Sequence, residues 1–83
     1  MHIYPLVTAQ ELDILIFLYQ SPRCSGEIAR FLSLDNSSVG AYLHRLRQRE
    51  LITSTGRQYD REHKLSDKGR DLILELKRSL FNG

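Results

Sequence analysis

The chain has 83 residues, a formal net charge of +2, 41% hydrophobic residues and a single cysteine. That length suits one small domain able to bury about 60–65% of the surface its unfolded form exposes, and Cys24 has no second thiol to pair with, so extra stability is expected from oligomerisation. The opening MHIYPLV has neither a basic leader nor a long apolar run, and no stretch reaches the roughly 20 apolar residues of a membrane span, so a reducing, cytoplasmic or nucleoid-associated setting with no membrane partner is expected.

Thr8-Ala9-Gln10-Glu11 reads as a capping box and predicts a first helix from about Ala9 to Gln20. At 100° per residue, Leu12, Leu15, Ile16 and Tyr19 share one side, and Ile14, Phe17 and Leu18 share the opposite one. A helix apolar nearly all round requires burial all round. One face is expected to pack on the chain's own core, the other on another element or a second subunit.

Ser21-Pro22 ends that helix, because a residue before proline avoids the α region. Ser25-Gly26 opens a second helix, Glu27 to about Ser33, with Ile28, Phe31 and Leu32 as its buried face. Asp35 is an N-cap for a third helix, Asn36 to about Glu50, whose core stripe is Val39, Leu43 and Leu46, flanked by Tyr42. Leu51 to Thr55 is rich in β-branched residues and reads as a strand. Gly56 to about Asp60 is a turn, and Glu62 to Leu65 returns antiparallel. Ser66 caps a last helix with Asp67 in its first turn. Leu72, Ile73, Leu76 and Leu80 form its main stripe, with Leu74 and Phe81 on another side. The fold class is mainly α with a small β-hairpin, in the order α-α-α-β-β-α, as one domain over residues 1–83.

Charge is unevenly placed along this order. Residues 30–64 carry Arg30, Arg45, Arg47, Arg49, Arg57, Arg61 and Lys64 against Asp35, Glu50, Asp60 and Glu62. A basic excess confined to one segment suits either a polyanion partner or a solvated charged face.

The join between the second and third helices is the most informative part. Ala29 is followed by small Ser33, then by Val39 and Tyr42. A helix-turn-helix needs a small residue where its helices cross, a tight turn, and apolar residues on the inner face of the second helix. The stretch EIARFLSLDNSSVGAYLHRLRQRELI resembles the winged helix-turn-helix transcription regulators, and HKLSDKGRDLI resembles the segment where MarR-type regulators leave the wing and enter the last helix. The resemblance, to a MarR/ArsR-like superfamily, spans about residues 9 to 80. It implies a helix-turn-helix at about 26–50, a wing at about 51–66 and a C-terminal helix at about 67–81.

The resemblance also implies binding of double-stranded DNA by a homodimeric transcriptional regulator. The third helix would enter the major groove with Asn36, Ser37, Ser38, Gly40, Ala41, His44 and Arg45. The wing would touch the flanking backbone or minor groove through Arg57 and Arg61, with Gln58 and Tyr59 beside them. The dimer interface is expected from Ile3, Tyr4 and Leu6 of the N-terminal arm, Ile14, Phe17 and Leu18 of the first helix, and Leu74 and Phe81 of the last. The alternative is a winged-helix protein-interaction module without a DNA role.

Gly40 and Ala41 stand where long polar side chains are expected on a base-reading helix. Glycine inside a helix costs up to about 1 kcal/mol relative to alanine. On DNA, small residues there suit close seating and thymine methyls, leaving affinity to phosphate contacts. On a protein partner, they form a smooth packing surface.

The three histidines, at positions 2, 44 and 63, lack metal-ligand spacing, and one cysteine does not suit the multi-thiolate sites of ArsR-type relatives. With no glycine-rich phosphate loop and no nucleophile–base pattern, neither an enzyme nor a cofactor or metal is expected. A small-molecule effector is not expected either.

Overall fold

Side-chain caps set where the helices begin. Thr8 Oγ1 accepts from the Glu11 N–H at 3.2 Å, and Glu11 Oε1 accepts from the Thr8 N–H at 2.9 Å. This expected capping box starts α1 (Ala9–Gln20). Asp35 Oδ1 accepts from the Ser38 N–H at 3.2 Å and starts α3 (Asn36–Gln48). Ser66 Oγ accepts from the Gly69 N–H at 3.0 Å at the start of α4 (Asp67–Asn82). Between α1 and α3 lies α2 (Ser25–Leu32), which begins two residues earlier than expected. Glu27 Oε1 reaches back to accept from the Cys24 N–H at 3.1 Å, so the cap falls on Cys24 and Gly26 lies inside the helix. These observations come from a computed structural model that describes residues 7–56 and 61–82, with backbone alone for residues 80–82.

The sheet differs from the hairpin expected. It has three strands in the order β1-β3-β2: β1 (Arg23–Cys24), β2 (Ile52–Thr55) and β3 (Glu62–Leu65). Both pairings are antiparallel, with Arg23 opposite His63 on one side of β3 and Ser54 opposite His63 on the other. A two-residue strand has no alternation to read, which is why β1 is not legible in the sequence. Along β3, Glu62 and Lys64 face outward while His63 and Leu65 are buried.

Turns in the left-handed region join these elements. Ser33 closes α2 at φ 56°, and the Leu34 N–H donates to the Ala29 carbonyl at 2.9 Å. Glu50 follows α3 at φ 63°, with the Leu51 N–H donating to the Leu46 carbonyl at 3.0 Å. The Leu51 carbonyl then accepts from the Ser66 N–H at 3.0 Å. Gly69 sits directly on that same carbonyl, where a Cβ would collide with the backbone oxygen. Glycine is therefore required for α4 to seat against the α3–β2 junction.

The core corrects the expected roles of α1. Ile14, Phe17 and Leu18, expected at a dimer interface, are 0%, 7% and 3% exposed within this chain. The reason is that α1 packs against α2, α3, α4 and β3 together, so its second apolar face is covered internally. The exposed large apolar residue of α1 is Ile16, with Leu12 and Tyr19 half-buried. On α4, Ile73 is buried and Leu74 is exposed. Phe31, expected in the core, is instead 63% exposed and stacks face to face on Phe17 at 4.1 Å between ring centroids. The Arg23 guanidinium lies 4.4 Å from the Phe17 centroid. Ile3, Tyr4 and Leu6, and the side chain of Phe81, lie outside the described residues.

Candidate nucleic-acid interface

The burial pattern of α3 gives it one inner and one outer face. Val39, Leu43 and Leu46 are 0%, 2% and 0% exposed, and they anchor the helix to the core. Asn36, Ser37, Gly40, Ala41, His44 and Gln48 are exposed, at the spacing of one helical face. This is the face the sequence marked, with Gln48 added. Ser38 lies at its edge, half-buried and tied through its N–H to Asp35.

Arg45 is held differently from expectation. Its Nε donates to Glu11 Oε2 at 2.8 Å, and its guanidinium lies 5.1 Å from the Tyr42 ring centroid. Arg49 Nη1 donates to Glu11 Oε1 at 3.3 Å. Glu11 is wholly buried, whereas the two arginine side chains are 43% and 41% exposed. Burial alone would raise the Glu11 carboxyl, but the Thr8 N–H and the two guanidiniums outweigh it and hold it below its usual range. Arg45 thus lies on the α1 side of α3 rather than projecting freely from the outer face.

Arg47, not singled out in the sequence, lies on the other flank. It shares a cleft of about 490 Å³ with Asn36, Gly40 and Leu43 of α3, Cys24, Ser25 and Gly26 at the start of α2, and Arg61 and His63 of the wing. Arg61 is exposed at the entry to β3. The other wing candidates, Arg57, Gln58 and Tyr59, lie outside the described residues. A Cβ placed on Gly40 would meet no atom within 4 Å, so nothing in the described chain demands glycine there.

His63 is the buried hub of this corner, at 1% exposure. Its Nδ1 lies 2.7 Å from Ser54 Oγ and its Nε2 lies 3.0 Å from Ser25 Oγ. Arg47 Nη1 donates to Ser54 Oγ at 3.4 Å. Burial, then the charges of Arg47 and Arg61, push the His63 pKa down to about 4, so the ring is neutral at pH 7. Sequence reasoning gave Ser25 only as a helix opening and His63 only as a histidine without metal-ligand spacing, because the contacts that join them with Ser54 span 38 and 9 residues and no local pattern announces them.

Among the described residues no His/Cys/Asp/Glu group able to hold a metal is found, and no helix is long and apolar enough to cross a membrane.

A family model described as the MarR family matches residues 7–64. Solved structures share the fold. HlyU from Vibrio cholerae superposes with a TM-score of 0.78 at 23% identity, over 94% of this chain and 85% of that one. The transcriptional regulator BldR from Sulfolobus solfataricus gives 0.79 at 22% identity, over 92% of this chain and 57% of that one. A variant of ZitR from Lactococcus lactis gives 0.78 at 24% identity, over 86% and 51%. This chain therefore spans most of HlyU but little more than half of BldR or ZitR. Curated protein sequences yield no match.

Proposed function

This chain belongs to the MarR family, and from that premise we propose that it binds double-stranded DNA as a homodimeric transcriptional regulator of the cytoplasm or nucleoid. The observation that supports this best is the outer face of α3. Its inner stripe is closed in the core, while Asn36, Ser37, Gly40, Ala41 and His44 stand in solvent on a surface flanked by Arg47 and Arg61. In this reading α3 lies in the major groove, and Asn36, Ser37, Ser38 and His44 offer the few polar base or phosphate contacts. Gly40 and Ala41 let the helix seat closely. The wing, with Arg57 and Arg61, meets the flanking backbone or minor groove.

The apolar surface left by α1 and α4 supports pairing with a second copy. Ile16 is 43% exposed and Leu74 41% exposed, and the half-buried Leu12 and Tyr19 adjoin Ile16 on α1. This reading replaces Ile14, Phe17 and Leu18 in the proposed interface. Leu74 stays in it, as do the N-terminal arm, Ile3, Tyr4 and Leu6, and Phe81. The interface then presents two α3 helices to half-sites about one helical turn apart. Selection of bound duplexes from a random pool tests the function. A pseudo-palindromic site is expected, and failure to enrich any duplex sinks the reading in favour of a protein-interaction module.

A further inference from the structure

Three arginines stand at alternate positions near the end of α3, and only two of them are anchored by a carboxylate. Arg45 and Arg49 both reach Glu11. Arg47 has no carboxylate partner among the described residues, and its Nη1 donates to the neutral Ser54 hydroxyl of β2 at 3.4 Å. That is long for an N–H···O bond, which centres at about 2.9–3.0 Å. A bond so long orders a rotamer-rich side chain only if its acceptor is itself held firmly.

His63 is what holds it. Ser54 Oγ lies 2.7 Å from His63 Nδ1, a short contact, and His63 Nε2 lies 3.0 Å from Ser25 Oγ. The ring is 1% exposed on the central strand of the sheet, with Ser54 its cross-strand neighbour. A neutral imidazole donates from one nitrogen and accepts at the other, and Arg47 decides which. A guanidinium can only donate, so one lone pair of Ser54 is taken by a cationic donor, and that donation polarises the Ser54 O–H. The polarised hydroxyl donates to Nδ1, which leaves the ring proton on Nε2 for Ser25 Oγ. The opposite tautomer would aim two donors at Ser54 Oγ and leave the Ser54 proton without an acceptor among the described residues.

We propose that His63 is a positioning residue for Arg47. Held as the Nε2–H tautomer, it sets one donor order, from Arg47 to Ser54 to His63 to Ser25, which couples α3 to the start of α2 through the two strands of the wing. The lone pair that Ser54 turns toward Arg47 is the one that the imidazole leaves it. Arg47 keeps its charge and gains a fixed direction. That this direction serves bound DNA rests on the function proposed above; the tautomer and the coupling do not.

Removing the buried imidazole endangers the fold, so the serines at its two ends are changed instead. Ser25→Ala spares the helix start, because the N-cap of α2 is Cys24. Nitrogen spectra of the imidazole and of the Arg47 Nε–H are recorded for the full native chain, for Ser25→Ala and for Ser54→Ala. The ring proton of the native chain is expected on Nε2. The Arg47 resonance is expected to shift in both variants, although the hydroxyl that Arg47 itself meets is that of Ser54. Duplex affinity supplies a double-mutant cycle. Ser25→Ala is expected to weaken binding about twofold or more in the native background, and to change nothing once Arg47→Ala or Ser54→Ala is present. Additive losses in the cycle would make Ser25 a direct DNA ligand and overturn the coupling, as would an Arg47 resonance that Ser25→Ala leaves in place. A ring proton on Nδ1 overturns the donor order. A native chain that binds no duplex removes the proposed function, and the two spectra then decide the positioning role alone.

Discussion

The Glu11 carboxylate of α1 and the Arg45 guanidinium of α3 meet at 2.8 Å, with the carboxylate wholly buried and the arginine reaching it from the surface. One side chain thereby does two things. It closes the capping box on Thr8, and it fixes the azimuth of α3 against α1 through Arg45 and Arg49.

Replacing Glu11 by Gln is therefore expected to destabilise the fold by about 2 kcal/mol, the scale of losing charge-assisted hydrogen bonds to a buried group. Urea unfolding measures this. Acid should reproduce part of the effect. The carboxyl is held below its usual 4.5, so its contribution is present above about pH 4.5 and fades as pH falls through the lower folded value. A Glu11→Gln chain as stable as the parent would show that this ion pair merely decorates the surface of α3.

His63 gives a second and separate pH window. Its folded pKa of about 4 lies below the usual 6.5, so the unfolded chain takes up a proton first as pH falls. Stability is full above pH 6.5 and declines by up to about 1.4 kcal/mol per pH unit until about pH 4. In His63→Gln that decline should flatten between pH 6.5 and 4.5, whatever the variant's stability at pH 7. An identical decline in both chains would mean that His63 titrates normally in the fold.

Two helical glycines are expected to respond oppositely to alanine. Gly69→Ala drives a methyl into the Leu51 carbonyl and should cost about 3 kcal/mol. Gly40→Ala meets open space and should stabilise by up to about 1 kcal/mol through helix propensity. Thermal unfolding of the pair reads both signs, and a stabilising Gly69→Ala would contradict the close seating of α4.

The residues that made the fold legible were those acting over short range. Thr8 with Glu11, Asp35, and the Val39–Leu43–Leu46 stripe fix α1 and α3 by local capping and spacing, and the structure has them so. What the sequence hid depends on the third dimension. Ile14 and Leu15 fall on different sides of α1 by periodicity, yet both are fully buried because α1 is surrounded. Gly69 looked unremarkable until Leu51 was brought beneath it. At the candidate site, Asn36, Gly40 and His44 come from the winged-helix resemblance, carried over by position, but the turn of Arg45 toward α1 and of Arg47 toward the wing was decided by Glu11 and Ser54.

If a second copy covers Ile16 and Leu74, a charge at either position should break the pairing. Ile16→Glu and Leu74→Glu are expected to sediment as monomers at tens of micromolar, where the parent sediments as a dimer. Both positions are about two-fifths exposed, so the fold should tolerate the change. A monomeric parent removes the dimer from the account.

The central claim is that this chain binds the DNA backbone through the α3 and wing surface. The most direct measurement is duplex affinity of the native chain against salt concentration. Neutralisation of several phosphates predicts a linear fall of log affinity with log salt, with a slope of about −4 or steeper for a dimer. A flat dependence, or no duplex binding at low salt, would contradict it.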